Sequence, residues 1–214
     1  MKKFYHKHNR KIWVLFLLTL VIAIFSLSFL PERLPIHFDI QGVPDNYAGK
    51  WSIFLAPAVI LVLIFLAEFL RKYDPKSRNY DKFEYYYYEI HFAVSLLMAF
   101  IQLYTIAYIS DWQINIRLLM PTIVGLLFIF LGNILAKFKH NYFVGIRNSW
   151  TLASEKVWYQ THRFAGKVFV LGGFLLIIMS FLFPNHLLFI FIGVILLLVF
   201  LPTAASFYYY QKDA

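Results

Sequence analysis

Apolar residues gather into six runs, near 12–30, 51–70, 88–109, 118–136, 167–183 and 187–207, with polar stretches between them. Each is long enough, or nearly so, for a helix crossing a hydrocarbon core, which takes about 20 residues. The pattern predicts an all-α polytopic membrane protein of about six transmembrane helices. The fifth run is the shortest and spans only if its helix begins near Phe164 or Ala165. The first is longer than the apolar core of a usual signal peptide, and Leu30-Pro31-Glu32 lacks the small residues of a cleavage site, so it reads as a retained anchor. Pro57, Pro121 and Pro202 fall near span ends or within a turn or two of them, where a missing backbone donor is easiest to accommodate. Gly125 and Gly132, one heptad apart, predict close helix packing in the fourth span.

Composition agrees with that pattern. Hydrophobic residues make up 61% of the 214 positions and charged residues 14%, against roughly 25% charged in soluble domains. The absence of cysteine removes disulfides, thiolate metal sites and cysteine nucleophiles. A net charge of +9 would suit nucleic acid, but the basic residues lie between apolar runs, where membrane topology places them. The expected partner is therefore the lipid bilayer, with no direct nucleic-acid contact. Lys2, Lys3, Lys7, Arg10 and Lys11 of the tail, Arg71, Lys72, Lys76, Arg78 and Lys82 of the second loop, Lys137, Lys139, Arg147, Lys156, Arg163 and Lys167 of the fourth loop, and Lys212 are 17 of the 20 basic residues. Only Arg33, Lys50 and Arg117 fall on the other side, so the positive-inside rule predicts both termini in the cytoplasm. Residues 1–50 then hold the tail, first span and external loop; 51–110 hold spans two and three with a cytoplasmic loop; 111–214 hold spans four to six. Tyr85 to Tyr88 and Tyr208 to Tyr210 are expected as interfacial belts, and residues 71–82 as a solvated loop.

Two loops carry more information than a connector needs. In the external loop, Ile36, Phe38 and Ile40 alternate as in one short extended segment, ended by Gly42 and a turn at Pro44-Asp45-Asn46. His37 and Asp39 would share a face there and could share a proton or a ligand. Two ligands fall short of the three or four of a zinc site, so neither metal nor cofactor is expected. In the cytoplasmic loop, Gly145 permits a tight turn that presents Arg147. From Thr151, read as an N-cap, the pattern turns helical, with Glu155 in the first turn and Trp158, His162 and Ala165 on one face. This helix would lie in the interface and run into the fifth span, with Trp150 and Trp158 at headgroup level. Arg147 and Arg163 have two open readings, binding of lipid phosphates or recognition of a partner.

Within the spans, Gln102 and Asn133 are the clearest polar groups at depth, whereas Glu68, Glu89 and His91 are expected near enough to the interface to be solvated. No P-loop, G-x-S-x-G or H-E-x-x-H pattern occurs, which leaves the common ATPase, esterase and metalloprotease chemistries without support.

The two loops together resemble the SdpI-like family, membrane proteins named for immunity to the sporulation-delaying protein toxin. Pro35, His37, Phe38, Gly42, Pro44, Asp45 and Lys50 resemble the family's short N-terminal module of unknown function. Asn141, Gly145, Arg147, Trp150, Thr151, Glu155, Trp158, His162, Arg163 and Gly166 resemble its signature region. The family usually has Thr-Pro where this chain has Asn148-Ser149, and losing the proline is expected to loosen that turn. The resemblance implies a non-enzymatic protein of the bacterial cell membrane that gives resistance to a secreted, membrane-active peptide toxin. In the name-giving system the occupied protein also holds a soluble transcriptional repressor at the membrane. The alternatives are a small transporter or channel, and a membrane enzyme using His37, Asp39 or His162.

Overall fold

The computed structural model describes residues 8–213, and Lys2, Lys3 and Lys7 of the basic tail lie outside them. Eight helices and one hairpin follow in order: α1 (Arg10–Ser26), β1 (Arg33–Phe38), β2 (Pro44–Gly49), α2 (Leu55–Tyr73), α3 (Ser77–Tyr80), α4 (Glu84–Ile109), α5 (Ile116–Leu135), α6 (Ser149–Ala153), α7 (Glu155–Leu182) and α8 (Leu187–Asp213). The protein is an all-α polytopic membrane protein. Among the described residues five helices are long and apolar enough to cross a membrane: α2 with the 3-10 turn before it, α4, α5, α7, and α8 with its preceding turn. At 17 residues α1 is shorter, about 25 Å at the helical rise, which is the low end of what spans. The fifth apolar run is no short span, because Ser154 caps a helix that starts at Glu155 and continues without a break to Leu182.

The chain forms two compact units, one of residues up to 69 with 88–117, the other of 70–87 with 118–214. In the first, Ala23, Leu30, Leu34 and Ile53 form an apolar cluster that ties the end of α1 to the hairpin and to the turn before α2. Gln102, 3% exposed, donates through Nε2 to the carbonyls of Thr19 (3.0 Å) and Ile53 (3.4 Å). That amide supplies polar cohesion where apolar contacts alone carry no directional preference. Glu68 accepts from Asn9 and from the Tyr88 hydroxyl, and Lys11 pairs with Glu89 while lying over the Phe92 ring. Glu89 and His91 are buried, so the expectation that they are solvated fails. The Glu68 and Glu89 carboxylates find protein partners at Asn9, the N-cap residue of α1, and at Lys11 within it, in place of water.

In the second unit α5 and α7 pack through glycines. A Cβ on Gly132 would stand 2.6 Å from the Gly166 carbonyl, and one on Gly125 2.8 Å from that of Gly173. The two contacts run antiparallel and bring the backbones closer than any side chain permits. Between α7 and α8, Leu176, Val194 and Leu198 form a second apolar cluster. Asn133 is exposed and returns its amide to the Ile129 carbonyl of its own helix.

Candidate functional site

The hairpin is built by cross-strand pairing, not by one extended segment. β1 and β2 are antiparallel, with Leu34 opposite Ala48 and Phe38 opposite Pro44, and the register shifts around His37. The turn therefore lies at residues 39–43, and Pro44-Asp45-Asn46 belongs to β2. Asp39 makes the turn: its Oδ1 accepts from the amides of Gln41 and Val43, both at 2.8 Å. Gly42 closes it at φ +80, a conformation that costs L side chains energy. With Asp39 committed to backbone amides, His37 pairs across the strands with Asp45, Nδ1 to Oδ1 at 2.6 Å. The expected His37–Asp39 pair does not form, because the bulge turns His37 toward β2. Both partners are exposed, where an ion pair contributes about 0–1 kcal/mol.

Three contacts seat the hairpin. Leu34 enters the apolar cluster, Gly42 abuts Ile116, and Phe38 meets Tyr104 and Tyr108 edge-on at 5.1 and 5.2 Å between ring centres. Each such aromatic pair contributes about 0.5–1.5 kcal/mol beyond area burial. Pro35 is buried, and Lys50 bonds Glu32 through both its amide and its ammonium. Of the hairpin residues singled out by sequence, Pro35, Phe38 and Gly42 hold it in place, whereas His37 and Asp45 face outward.

The signature region is a braced loop. Asn141, fully buried, accepts at Oδ1 from the amides of Phe143 (3.0 Å) and Val144 (2.7 Å) and from the Tyr80 hydroxyl (3.3 Å). Its Nδ2 donates to the carbonyls of Lys139 (2.9 Å) and Val144 (3.0 Å). Asp74, also buried, accepts from the Tyr80 hydroxyl and the Tyr142 amide, each at 2.8 Å. Burial together with the Asp74 carboxylate pushes the Tyr80 phenol pKa far up, so Tyr80 remains a donor. Residues 71–82 are thus solvated only in part: Lys72, Tyr73, Pro75, Arg78, Asp81 and Lys82 are exposed, while Asp74 and Tyr80 turn inward. Asp74 and Tyr80 were missed in the sequence, although an Asp before a proline is a common turn-forming signal.

Gly145 follows at φ +116, and a Cβ there would lie 2.4 Å from His162 Nε2 and 3.3 Å from the Trp158 ring. Only glycine allows the chain to pass over that stack, whose rings are 4.1 Å apart at 24°. His162 Nε2 accepts from the Ile146 amide at 3.0 Å, so its proton sits on Nδ1 and is donated to the Trp158 carbonyl at 2.8 Å. Trp158 donates to the Phe138 carbonyl at 2.9 Å and is 2% exposed. It lies in the unit's interior, where its indole N–H finds a protein partner. Trp150 is half-buried against Phe207.

Thr151 is not the helix N-cap. Asn148 caps α6, accepting from the amides of Trp150 and Thr151, while the Thr151 hydroxyl accepts from the Asn148 amide in a reciprocal box. Asn148 also donates to Ser206 of α8 at 2.7 Å. Ser149 occupies the first helical position, the one a proline fits best. Asn148 therefore supplies the cap of this turn and Ser149 its first helical residue. Glu155 opens α7 and meets Lys76 at 3.3 Å. His140, buried against Trp158, takes a hydrogen bond from Lys76 at Nδ1. Burial first, then the Lys76 charge, pull its pKa down, so it stays neutral.

Among the charged signature residues Arg147, Glu155 and Arg163 remain outward. Arg147 Nη1 donates to the Tyr142 carbonyl at 2.8 Å, which fixes the guanidinium against the loop, and Arg163 is exposed on α7. Gly166 is buried in the α5–α7 contact. The ten signature residues thus divide into a scaffold and a small exposed charged surface. No group of three or more His, Asp or Glu side chains able to hold a metal ion occurs among the described residues.

The same two segments are those that known families match. Residues 137–206 match the SdpI/YfhL protein family, and residues 14–61 match a domain of unknown function (DUF1648). Over these segments the chain is similar to those families. It is 29% identical over 195 residues to the Immunity protein SdpI of Bacillus subtilis (strain 168), covering 91% of this chain and 92% of that relative. No solved structure matches it. The chain is a multi-pass protein of a bacterial membrane. Its first matched segment contains the hairpin with α1 and the start of α2, and its second contains the braced loop with α6, α7 and most of α8.

Proposed function

We propose that this SdpI-like chain is a non-enzymatic immunity protein that protects its cell against a secreted, membrane-active peptide toxin. The observation that carries the reading is the similarity along 91% of the chain to a protein named for immunity. Six spans with both termini in the cytoplasm place the hairpin outside, with α1 as the sixth span, and the segregation of Lys and Arg supports that orientation. His37 and Asp45, exposed on a docked hairpin, are the toxin-side polar groups, and Pro35, Phe38, Gly42 and Lys50 hold them there. On the cytoplasmic side the braced loop presents Arg147 and Arg163 to a soluble partner, in the family's manner a transcriptional repressor. Arg147 is suited to this because a guanidinium fixed on one side keeps planar donors for a carboxylate on the other.

The test is survival of a sensitive cell that expresses the chain and is challenged with the sporulation-delaying protein toxin. Wild-type protein should raise the tolerated dose, and His37→Ala should lower it at equal membrane abundance. Absence of any protection by correctly inserted wild-type protein would sink the immunity reading.

A further inference from the structure

The hairpin is seated on the flanks of α1 and α4, inside the ends of those helices and not beyond them. Phe38 packs edge-on against Tyr104 and Tyr108, and Tyr104 stands five residues before Ile109, where α4 ends. At the helical rise that is about 7.5 Å inside the end of the helix. Leu34 joins one apolar cluster with Ala23, three residues before the end of α1, and with Ile106 of α4. With 26 residues α4 is about 39 Å long. Centred in the bilayer, it passes the hydrocarbon core of about 30 Å by roughly 4–5 Å on each side. The seat of the hairpin therefore falls at the boundary between acyl chains and headgroups.

The surface that the hairpin turns away from the protein suits that depth. Ile36, Val43 and Tyr47 are exposed. They continue a lipid-facing surface that runs along Val21 and Phe25 of α1 before the hairpin and resumes at Trp51 and Leu55, where the next span begins. An exposed apolar patch continuous with membrane-facing helices is a membrane contact, and Tyr and Trp are the side chains enriched at headgroup level. Two limits bracket the position. Fully in water, the patch would stay hydrated at a cost. Deeper, in hydrocarbon, the two-stranded sheet would leave some edge backbone groups without water, and the pairs of His37 with Asp45 and Lys50 with Glu32 would lose solvation.

We propose that the hairpin lies in the headgroup layer of the nearer leaflet, with Ile36, Val43 and Tyr47 in contact with phospholipid at the acyl boundary. The partner is the lipid surface, met through apolar area and interfacial aromatics, and no particular headgroup is required. His37 and Asp45 are then presented within the headgroup layer and not on a free aqueous loop. This inference goes beyond the immunity reading and does not depend on it.

The chain has no cysteine, so a nitroxide on a single introduced cysteine reports one position at a time. Val43→Cys and Tyr47→Cys are labelled in the full-length protein, in vesicles of phosphatidylethanolamine and phosphatidylglycerol. Leu18→Cys, on the exposed flank of α1, is the lipid reference, and Arg78→Cys, exposed in the polar segment 71–82, is the aqueous one. Power saturation compares collisions with oxygen, which concentrates in lipid, and with a water-soluble nickel chelate. The oxygen-to-nickel ratio at positions 43 and 47 should be severalfold above that at 78 and below that at 18. All four side chains are exposed, so the replacements should leave the fold intact, which thermal unfolding of each labelled protein checks, and either hairpin position alone decides the result. A ratio equal to that at position 78 would put the hairpin in water and overturn the proposal. A ratio equal to that at position 18 would put it in hydrocarbon and overturn the headgroup placement. Low collision rates with both reagents would show a protein surface over the patch, a second copy of the chain, and would overturn the lipid contact.

Discussion

Replacing Asn141 by alanine removes a side chain that satisfies four backbone groups inside the second unit, the amides of Phe143 and Val144 and the carbonyls of Lys139 and Val144. It also takes one of two acceptors from the Tyr80 hydroxyl, which keeps Asp74. Asn141 is fully buried, while the bonds it makes to these groups are part-buried. At up to about 1 kcal/mol for each orphaned backbone group, the low end of the desolvation penalty, the variant should lose about 2–4 kcal/mol. That is a large effect for a side chain with no apolar burial to lose. Thermal unfolding in detergent, followed by tryptophan fluorescence, reads it, because Trp158 lies in the same unit and its environment changes when the loop opens. Exposed Arg163→Ala is the reference and should stay within about 0.5 kcal/mol of wild type. Equal unfolding temperatures for Asn141→Ala and Arg163→Ala would refute the idea that the signature residues brace the loop.

Three other outcomes follow from the same geometry. A topology reporter placed after Gln41, in the hairpin turn, should be external and one at the C-terminus internal; an external C-terminus would overturn the six-span arrangement. His140 has a folded pKa below its ordinary 6.5, so the stability that depends on its neutrality is complete above about pH 6.5 and is lost as pH falls from there toward the folded pKa. Beside Lys76, Glu155 and Asp74, His140→Gln should therefore flatten the loss of thermal stability between pH 7.5 and 5.5, and an unchanged slope would remove His140 as its source. Arg147→Lys keeps the charge but forfeits the planar donors that reach the Tyr142 carbonyl, so recruitment of a cytoplasmic partner should drop severalfold with toxin survival unchanged. Full recruitment by an Arg147→Lys, Arg163→Lys double variant would leave lipid anchoring as the role of both.

The sequence by itself determined the membrane class, the helical architecture and the two segments that matter, because these depend on local quantities. Run length against bilayer thickness, the spacing of glycines in α5 and the dense polar and aromatic pattern of 141–166 are all readable along one dimension. What only the tertiary structure decided were the partners. Asp39 and Asp45 both lie within reach of His37 in sequence, and the choice falls to Asp45 because the turn amides claim Asp39 first. Thr151 and Asn148 are both competent caps, and the cap goes to Asn148 because Thr151 serves better three residues on, closing the box. Trp158 has an interfacial composition but a buried N–H acceptor at Phe138, and Asp74 and Tyr80 sit in a polar stretch yet reach Tyr142 and Asn141, respectively, from more than sixty residues away. Burial selects among alternatives that composition leaves equal, because a polar group removed from water must find the one partner that the packing supplies.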